Sequence, residues 1–252
     1  MAWGDERNPT LILLHGGGSN AHWWDHIAPH LADWFYVVAL DFRGHGISEY
    51  PYEIAAGAFN DDLERLIEYL GSDEVVLLGH SMGSHVALDH ASRHPATRGL
   101  VLIDISLGMT RSARRRSRLA LRMRGSYANR EDAIGRFQFV PEAAHVEETL
   151  RLHIARHSVR EESDGRFSYR FDPRWFSLAA RPAPNPAKIL CPTLIVRGSQ
   201  STILTEEGAR GLAAEISNAR CAVIQEAGHH VHIDRPEATL AAIREFLSEF
   251  NH

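Results

Sequence analysis

Three short segments carry residues that could do chemistry together. The first is Gly79-His80-Ser81-Met82-Gly83. Residues 74–78 read as a buried strand and residues from 84 onward as a helix, so the pentapeptide fills a strand-to-helix turn. A serine on so sharp a turn projects its hydroxyl from the sheet edge, and the strained backbone tolerates only small neighbours, hence two glycines. The helix that follows turns backbone N–H groups and the positive end of its dipole toward the same point. The five letters alone are a weak signal, met by chance about one time in ten in a chain this long; their context gives them weight. The second segment, His15-Gly16-Gly17-Gly18, directly follows an expected strand. Its glycines let a backbone amide approach a substrate oxygen, and the Gly17 amide with that of Met82 would form an oxyanion hole. A phosphate loop is the rival reading, but the lysine and the spacing it needs are missing. The third segment is Glu226-Ala227-Gly228-His229-His230. A serine nucleophile needs a base within hydrogen-bond reach. His229 is the candidate, with His230 and His232 as competitors.

These groups can meet only if several elements bring them together. Short apolar runs alternate with helix-length segments, the pattern of parallel strands joined by crossover helices. Strands are expected at 10–14, 35–40, 74–78, 100–103, 193–196 and 222–225. Helices are expected at 23–31, 54–70, 84–94, 205–214 and 236–250, the last opened by Pro236. The alternation stops between about 106 and 188. That stretch is rich in arginine and histidine, with helices expected at 131–139 and 142–157, and it closes on a proline-rich linker at 181–186. The organisation expected is an α/β core, a mostly parallel sheet flanked by helices, formed by 1–105 and 189–252. Residues 106–188 form a helical lid inserted over the strand ends.

The bulk composition narrows the classes. The chain has 252 residues, with 27 Lys and Arg against 32 Asp and Glu for a net charge of −5. That balance gives no footprint for nucleic acid or an anionic membrane. Cys191 and Cys221 are too few for a disulfide framework and are expected as two reduced, buried thiols. Residues 1–6 lack the basic and apolar regions of a secretory signal, and the longest apolar runs are far too short to span a membrane. The expectation is a soluble cytoplasmic protein, monomer or homodimer, that takes a small-molecule substrate.

The three segments resemble the α/β-hydrolase family in order and spacing. So do Asp41-Phe42-Arg43-Gly44-His45-Gly46-Ile47-Ser48 and Pro192-Thr193-Leu194-Ile195-Val196-Arg197-Gly198. The resemblance spans nearly the whole chain. It implies that fold, Ser81 as nucleophile and His229, on the loop after the last strand, as base. It is far less informative about substrate, because the fold hosts many chemistries. It also implies an antiparallel hairpin ahead of the glycine loop, for which few residues are available here; an uncovered sheet edge is the expected consequence.

The acid that should orient the base is missing from its usual place. In most of the family it lies just beyond the strand at 193–196, but no carboxylate occurs between Leu190 and Glu206. Some members use the end of the strand after the nucleophile helix, which points to Asp104, fixing the His229 tautomer and stabilising the imidazolium. The alternatives are a Ser–His dyad with Asp104 as a mere strand cap, or rescue by Glu206 or Glu207. Those two glutamates are expected in a first helical turn, where acids suit the dipole.

Other features are assigned less. Gly16, Gly18, Trp24, His80 and His230 are candidate pocket residues, although Trp23 and Trp24 would more commonly pack the first helix. The histidine pairs 22/26, 90/94 and 153/157 have zinc-compatible spacing, but a third ligand is needed and no H-E-x-x-H motif occurs. No metal and no cofactor are therefore assigned. The arginine run at 111–124 reads as a solvated helix face, with attraction of an acidic substrate or a partner surface as the alternative. The expected function is a serine hydrolase of a small ester, lactone or similar acyl compound, with carbon–carbon cleavage not separable from these by motif. The alternatives are a cofactor-independent dioxygenase of the same fold and a ligand-sensing receptor with residual hydrolysis.

Overall fold

The computed structural model describes residues 1–72, 74–105, 119, 125–177 and 184–250. Nine strands are found among them: β1 (Ala2–Trp3), β2 (Thr10–Leu14), β3 (Tyr36–Leu40), β4 (Val76–His80), β5 (Gly99–Ile103), β6 (Val159–Glu161), β7 (Phe167–Tyr169), β8 (Thr193–Gly198) and β9 (Ala219–Ile224). Seven of them form one sheet in the order β1-β3-β2-β4-β5-β8-β9. All neighbours pair in parallel except β1, which runs antiparallel along β3. That two-residue strand is what covers the β3 edge, in place of a hairpin.

The central strands are apolar on both sides because both faces are covered. Leu11 and Leu13, Val76 and Leu78, Val101 and Ile103 point into one core. Their neighbours Ile12 and Leu14, Leu77, Leu100 and Leu102 point into the other. This is the period-2 rule of a strand applied to a sheet with helices on each side. The second core is closed by α1 (Ala58–Leu70), α2 (Met82–Arg93) and α5 (Glu206–Glu215); the first is closed by α6 (Pro236–Leu247), through Ile243, Phe246 and Leu247.

Several expectations are corrected. The helix expected at 23–31 is two separate 3₁₀ turns, Ala21–Trp24 and Ala28–Leu31. Pro29 stands at the start of the second, where it lacks the N–H a continuous helix would need. The last helix stops at Leu247 and gives way to a 3₁₀ turn, Ser248–Phe250. The thiols are both free, but only Cys191 is buried; Cys221 is exposed, on the edge strand β9 whose residues largely face solvent.

Between β5 and β8 the described residues contain α3 (Arg130–Gly135) and α4 (Glu148–Ser158). They also contain the antiparallel pair β6–β7, which the helical reading of that stretch overlooked. Phe137, Phe139, Ile154, Tyr169 and Phe171 build a third apolar cluster, tied to the main body by Trp23 and Ile233. The arginine run at 111–124 and part of the proline-rich linker lie outside the described residues.

Candidate active site

Parallel pairing puts the C-terminal ends of β4, β5 and β8 side by side, and each end delivers one part of the site. Ser81 follows β4 with φ 51° and ψ −110°, a backbone conformation that side chains rarely adopt. Its N–H donates to Ile103 O at 3.0 Å, holding the turn against β5. The flanking glycines are required by space. A Cβ at Gly79 would lie 2.4 Å from the Gly83 carbonyl carbon, and one at Gly83 would lie 2.2 Å from Leu14 O. Strained non-glycine backbone of this kind costs on the order of 1–3 kcal/mol and persists where surrounding structure imposes it.

Ser81 Oγ–H donates to His229 Nε2 at 3.0 Å, and His229 Nδ1–H donates to Asp104 Oδ1 at 2.8 Å. A carboxylate can only accept, so Asp104 holds the imidazole proton on Nδ1 and leaves Nε2 free to accept from serine. Asp104 sits at the end of β5 with φ 44° and is fully buried. Two further donors hold it: Ser201 Oγ–H at 2.7 Å to Oδ1 and Gly198 N–H at 3.3 Å to Oδ2. Ser201 Oγ itself accepts from the amides of Ile203 at 3.1 Å and Leu204 at 3.3 Å, which commits its proton to Asp104. The loop without a carboxylate thus supplies hydrogen-bond donors to a carboxylate on the neighbouring strand. Glu206 is instead paired with Arg210 at 3.2 Å on an exposed face, and Glu207 is exposed. The side chain that caps their helix is Thr205, accepting from Gly208 N–H at 3.0 Å.

The glycine loop lies against this line. A Cβ on Gly16 would be 3.4 Å from Ser81 Cβ and 2.8 Å from His80 Nδ1. The amide of Gly18 donates to His45 Nε2 at 3.2 Å, and Ser19 N–H to Gly16 O at 3.2 Å. Met82 is the first residue of α2, so its amide has no preceding helical carbonyl to bind. Over Gly17 sits the indole of Trp175, from a 3₁₀ turn at Pro173–Ser177; a Cβ at Gly17 would fall 2.0 Å from its Cη2. Trp175 comes from the inserted stretch, and nothing local in Pro173-Arg174-Trp175 announces it. His45 had a signal, the Gly-His-Gly of the Asp41 segment.

The remaining candidates separate by burial. Trp24 is corrected: it is fully buried in the first core and stacks on His232 with ring centroids 4.6 Å apart, so it offers a substrate no surface. His80 is also buried and supports the loop behind it, donating from Nε2 to His229 O at 3.0 Å. His230 donates from Nε2 to Pro141 O at 2.9 Å, which ties this loop to the inserted stretch. Burial holds His80 and His232 well below the usual imidazole range, and the neighbouring histidines oppose charge on either. His45 is held down in the same way by burial and His15. His229 therefore stands beside a His80 ring that stays neutral, their centroids 4.8 Å apart.

An α/β sandwich with a serine, histidine and aspartate in line at its strand ends defines a class, the α/β hydrolases. Residues 11–243 match the model of the alpha/beta hydrolase family, and the chain belongs to that family. Esterase Rv0045c of Mycobacterium tuberculosis is 27% identical over 260 residues, covering 98% of this chain and 85% of that protein. The 2-(acetamidomethylene)succinate hydrolase of Mesorhizobium japonicum is 27% identical over 255 residues, covering 95% and 88%. A crystal structure of E-2-(acetamidomethylene)succinate hydrolase superposes with a TM-score of 0.84 at 24% identity, covering 98% of this chain and 93% of that one. The protein is a hydrolase of this family. No helix among the described residues is long and apolar enough to cross a membrane.

Proposed function

We propose that the protein is a serine hydrolase of small esters, lactones or related acyl compounds, working through a covalent acyl-enzyme. The observation that carries this reading is the hydrogen-bonded line from Ser81 through His229 to Asp104, with contacts of 3.0 and 2.8 Å. In it Ser81 Oγ attacks the substrate carbonyl carbon while His229 Nε2 takes the serine proton. The buried Asp104 charge stabilises the imidazolium that results. The amides of Gly17 and Met82 hold the oxyanion, each donor contributing roughly 10²- to 10³-fold to turnover. His229 then returns the proton to the leaving group, and the acyl-enzyme forms as that bond breaks. Water, deprotonated by His229, releases the acid in the second half. No group beyond the chain is needed for these steps.

The described residues between β5 and β8 act in this proposal as part of a lid, which sets substrate choice by what it places above Ser81; Trp175, over Gly17, supports that reading. Names among the relatives, an esterase and a 2-(acetamidomethylene)succinate hydrolase, agree with acyl chemistry. The test is pre-steady-state hydrolysis of a p-nitrophenyl ester, where a burst of one nitrophenolate per chain is expected. Ser81→Ala should lose the burst and the fluorophosphonate labelling that marks the serine. An undiminished rate in that variant would overturn the scheme.

A further inference from the structure

Outside this site, groups able to hold a metal ion gather in two places among the described residues. One joins Glu64 on α1 to His90 on α2 and His94 just beyond its end. There the carboxylate is already held by Arg93 Nη1 at 3.0 Å, and a guanidinium beside a site opposes a second cation. The other place joins His22 and Asp25, just beyond the glycine loop, to His153 and His157 on α4. One ligand atom of each residue lies within 4.8 Å of the others, and all four side chains are half-buried, open enough for an ion to enter.

The arrangement is more than proximity. His153 and His157 stand four residues apart, on one face of an 11-residue helix. Asp25 Oδ2 accepts from His22 Nδ1 at 2.9 Å and from His153 Nε2 at 2.7 Å. The other carboxylate oxygen, Asp25 Oδ1, is buried with no hydrogen-bond partner. A buried anion oxygen left bare is costly, and a cation between the rings would satisfy it. His157 completes the set, its ring stacked on that of His22 at 3.8 Å and lying 4.7 Å from that of His153.

We propose that His22, Asp25, His153 and His157 bind a zinc-class divalent ion that clamps α4 of the inserted stretch to the turn beside the glycine loop. Three imidazoles and one carboxylate form a donor set suited to Zn(II), Co(II) or Ni(II), whereas Ca(II) and Mg(II) demand mostly oxygen. Bonds of about 2.0–2.1 Å in a tetrahedron place ligand atoms roughly 3.3 Å apart. Rotation of the four side chains can supply that contraction from the present spacing. The two elements already touch: Asn20 Nδ2 donates to His157 O and Ser158 Oγ, each at 3.3 Å. The sequence pairs miss this site because its three histidines come from two pairs, one residue of 22/26 and both of 153/157, and the fourth ligand, Asp25, from neither, all joined only by folding. His26 turns away and donates from Nε2 to His232 O at 2.7 Å.

The experiment is titration of the untagged, chelator-treated full chain with Co(II), followed by Zn(II). One equivalent of Co(II) should produce the intense visible absorption of a four-coordinate ion, and Zn(II) should bleach it. Asp25→Asn and His153→Gln should each weaken binding by at least roughly 10- to 100-fold, while His90→Gln leaves it unchanged. Two ligands on different elements are probed so that a folding defect in one variant leaves the other to decide. Zinc at a hundredfold excess over the parent's Kd should raise the parent's unfolding temperature by about 5–10 °C and that of Asp25→Asn by no more than about half as much. The proposal is overturned if no saturable equivalent binds. Binding that survives both variants but disappears in His90→Gln would overturn it equally.

Discussion

Replacing Asp104 by asparagine exchanges one oxygen for an NH₂ and removes one charge, with almost no change of shape. Its consequences follow from the donors around the carboxylate. His229 Nδ1–H and Ser201 Oγ–H both point at Oδ1, at 2.8 and 2.7 Å, and Gly198 N–H points at Oδ2 from 3.3 Å. The serine cannot reverse, because its oxygen accepts from Ile203 and Leu204. An asparagine with its oxygen toward His229 sets NH₂ against the Gly198 amide. Turned round, it sets NH₂ against Ser201 and forces the His229 proton onto Nε2, where it blocks the serine. Either way the charge that stabilises the imidazolium is lost. The expected fall in kcat/KM is about 10³- to 10⁴-fold, or about 4–5.5 kcal/mol of transition-state stabilisation. The assay is initial-rate hydrolysis of a p-nitrophenyl ester, with circular dichroism and a urea transition to establish that the variant folds. A folded Asp104→Asn enzyme within tenfold of the parent would refute the relay and favour a Ser–His dyad.

Ser201→Ala should cost less activity, about tenfold, but about 1–3 kcal/mol of stability in a urea melt, because two backbone amides and a buried carboxylate each lose a partner. Gly17→Ala must displace Trp175, since the new methyl falls 2.0 Å from the indole. It should lower kcat/KM and shift the tryptophan emission. The Trp175→Ala background should absorb much of that loss, a non-additivity readable in a double-mutant cycle. Stability should also fall with acidity. Burial keeps His45, His80 and His232 well below the usual imidazole range. The unfolded chain takes up those protons first, near pH 6.5, so stability is full above that value and declines below it. At pH 5.5 the buried rings should lower stability, measured as a drop in the urea midpoint from its value at pH 7.5. An unchanged midpoint would refute it.

Ser81, Gly17 and His229 could be named as candidates from the chain alone because each sits in a short segment whose neighbours state its conformation. Gly79 and Gly83 mark a close approach, Gly16–Gly18 a bare backbone, and Gly228 the turn before the histidine. Strand alternation was likewise readable, since Leu11 to Leu14 and Leu100 to Ile103 are apolar on both faces as a doubly covered sheet requires. Asp104 could be proposed only through the family resemblance, which offers the end of the strand after the nucleophile helix when the loop at 198–204 holds no carboxylate. Why that loop is no defect is a tertiary fact: β8 lies beside β5, so Ser201 and Gly198 reach across to Asp104. The same holds for Trp175 over Gly17 and for Asp25 between His22 and His153. Sequence records which side chains can do chemistry and the local backbone they need. Which of them share a point in space depends on packing between residues far apart in the chain, 128 positions for His153 and Asp25 and 148 for Ser81 and His229, and no local pattern carries that.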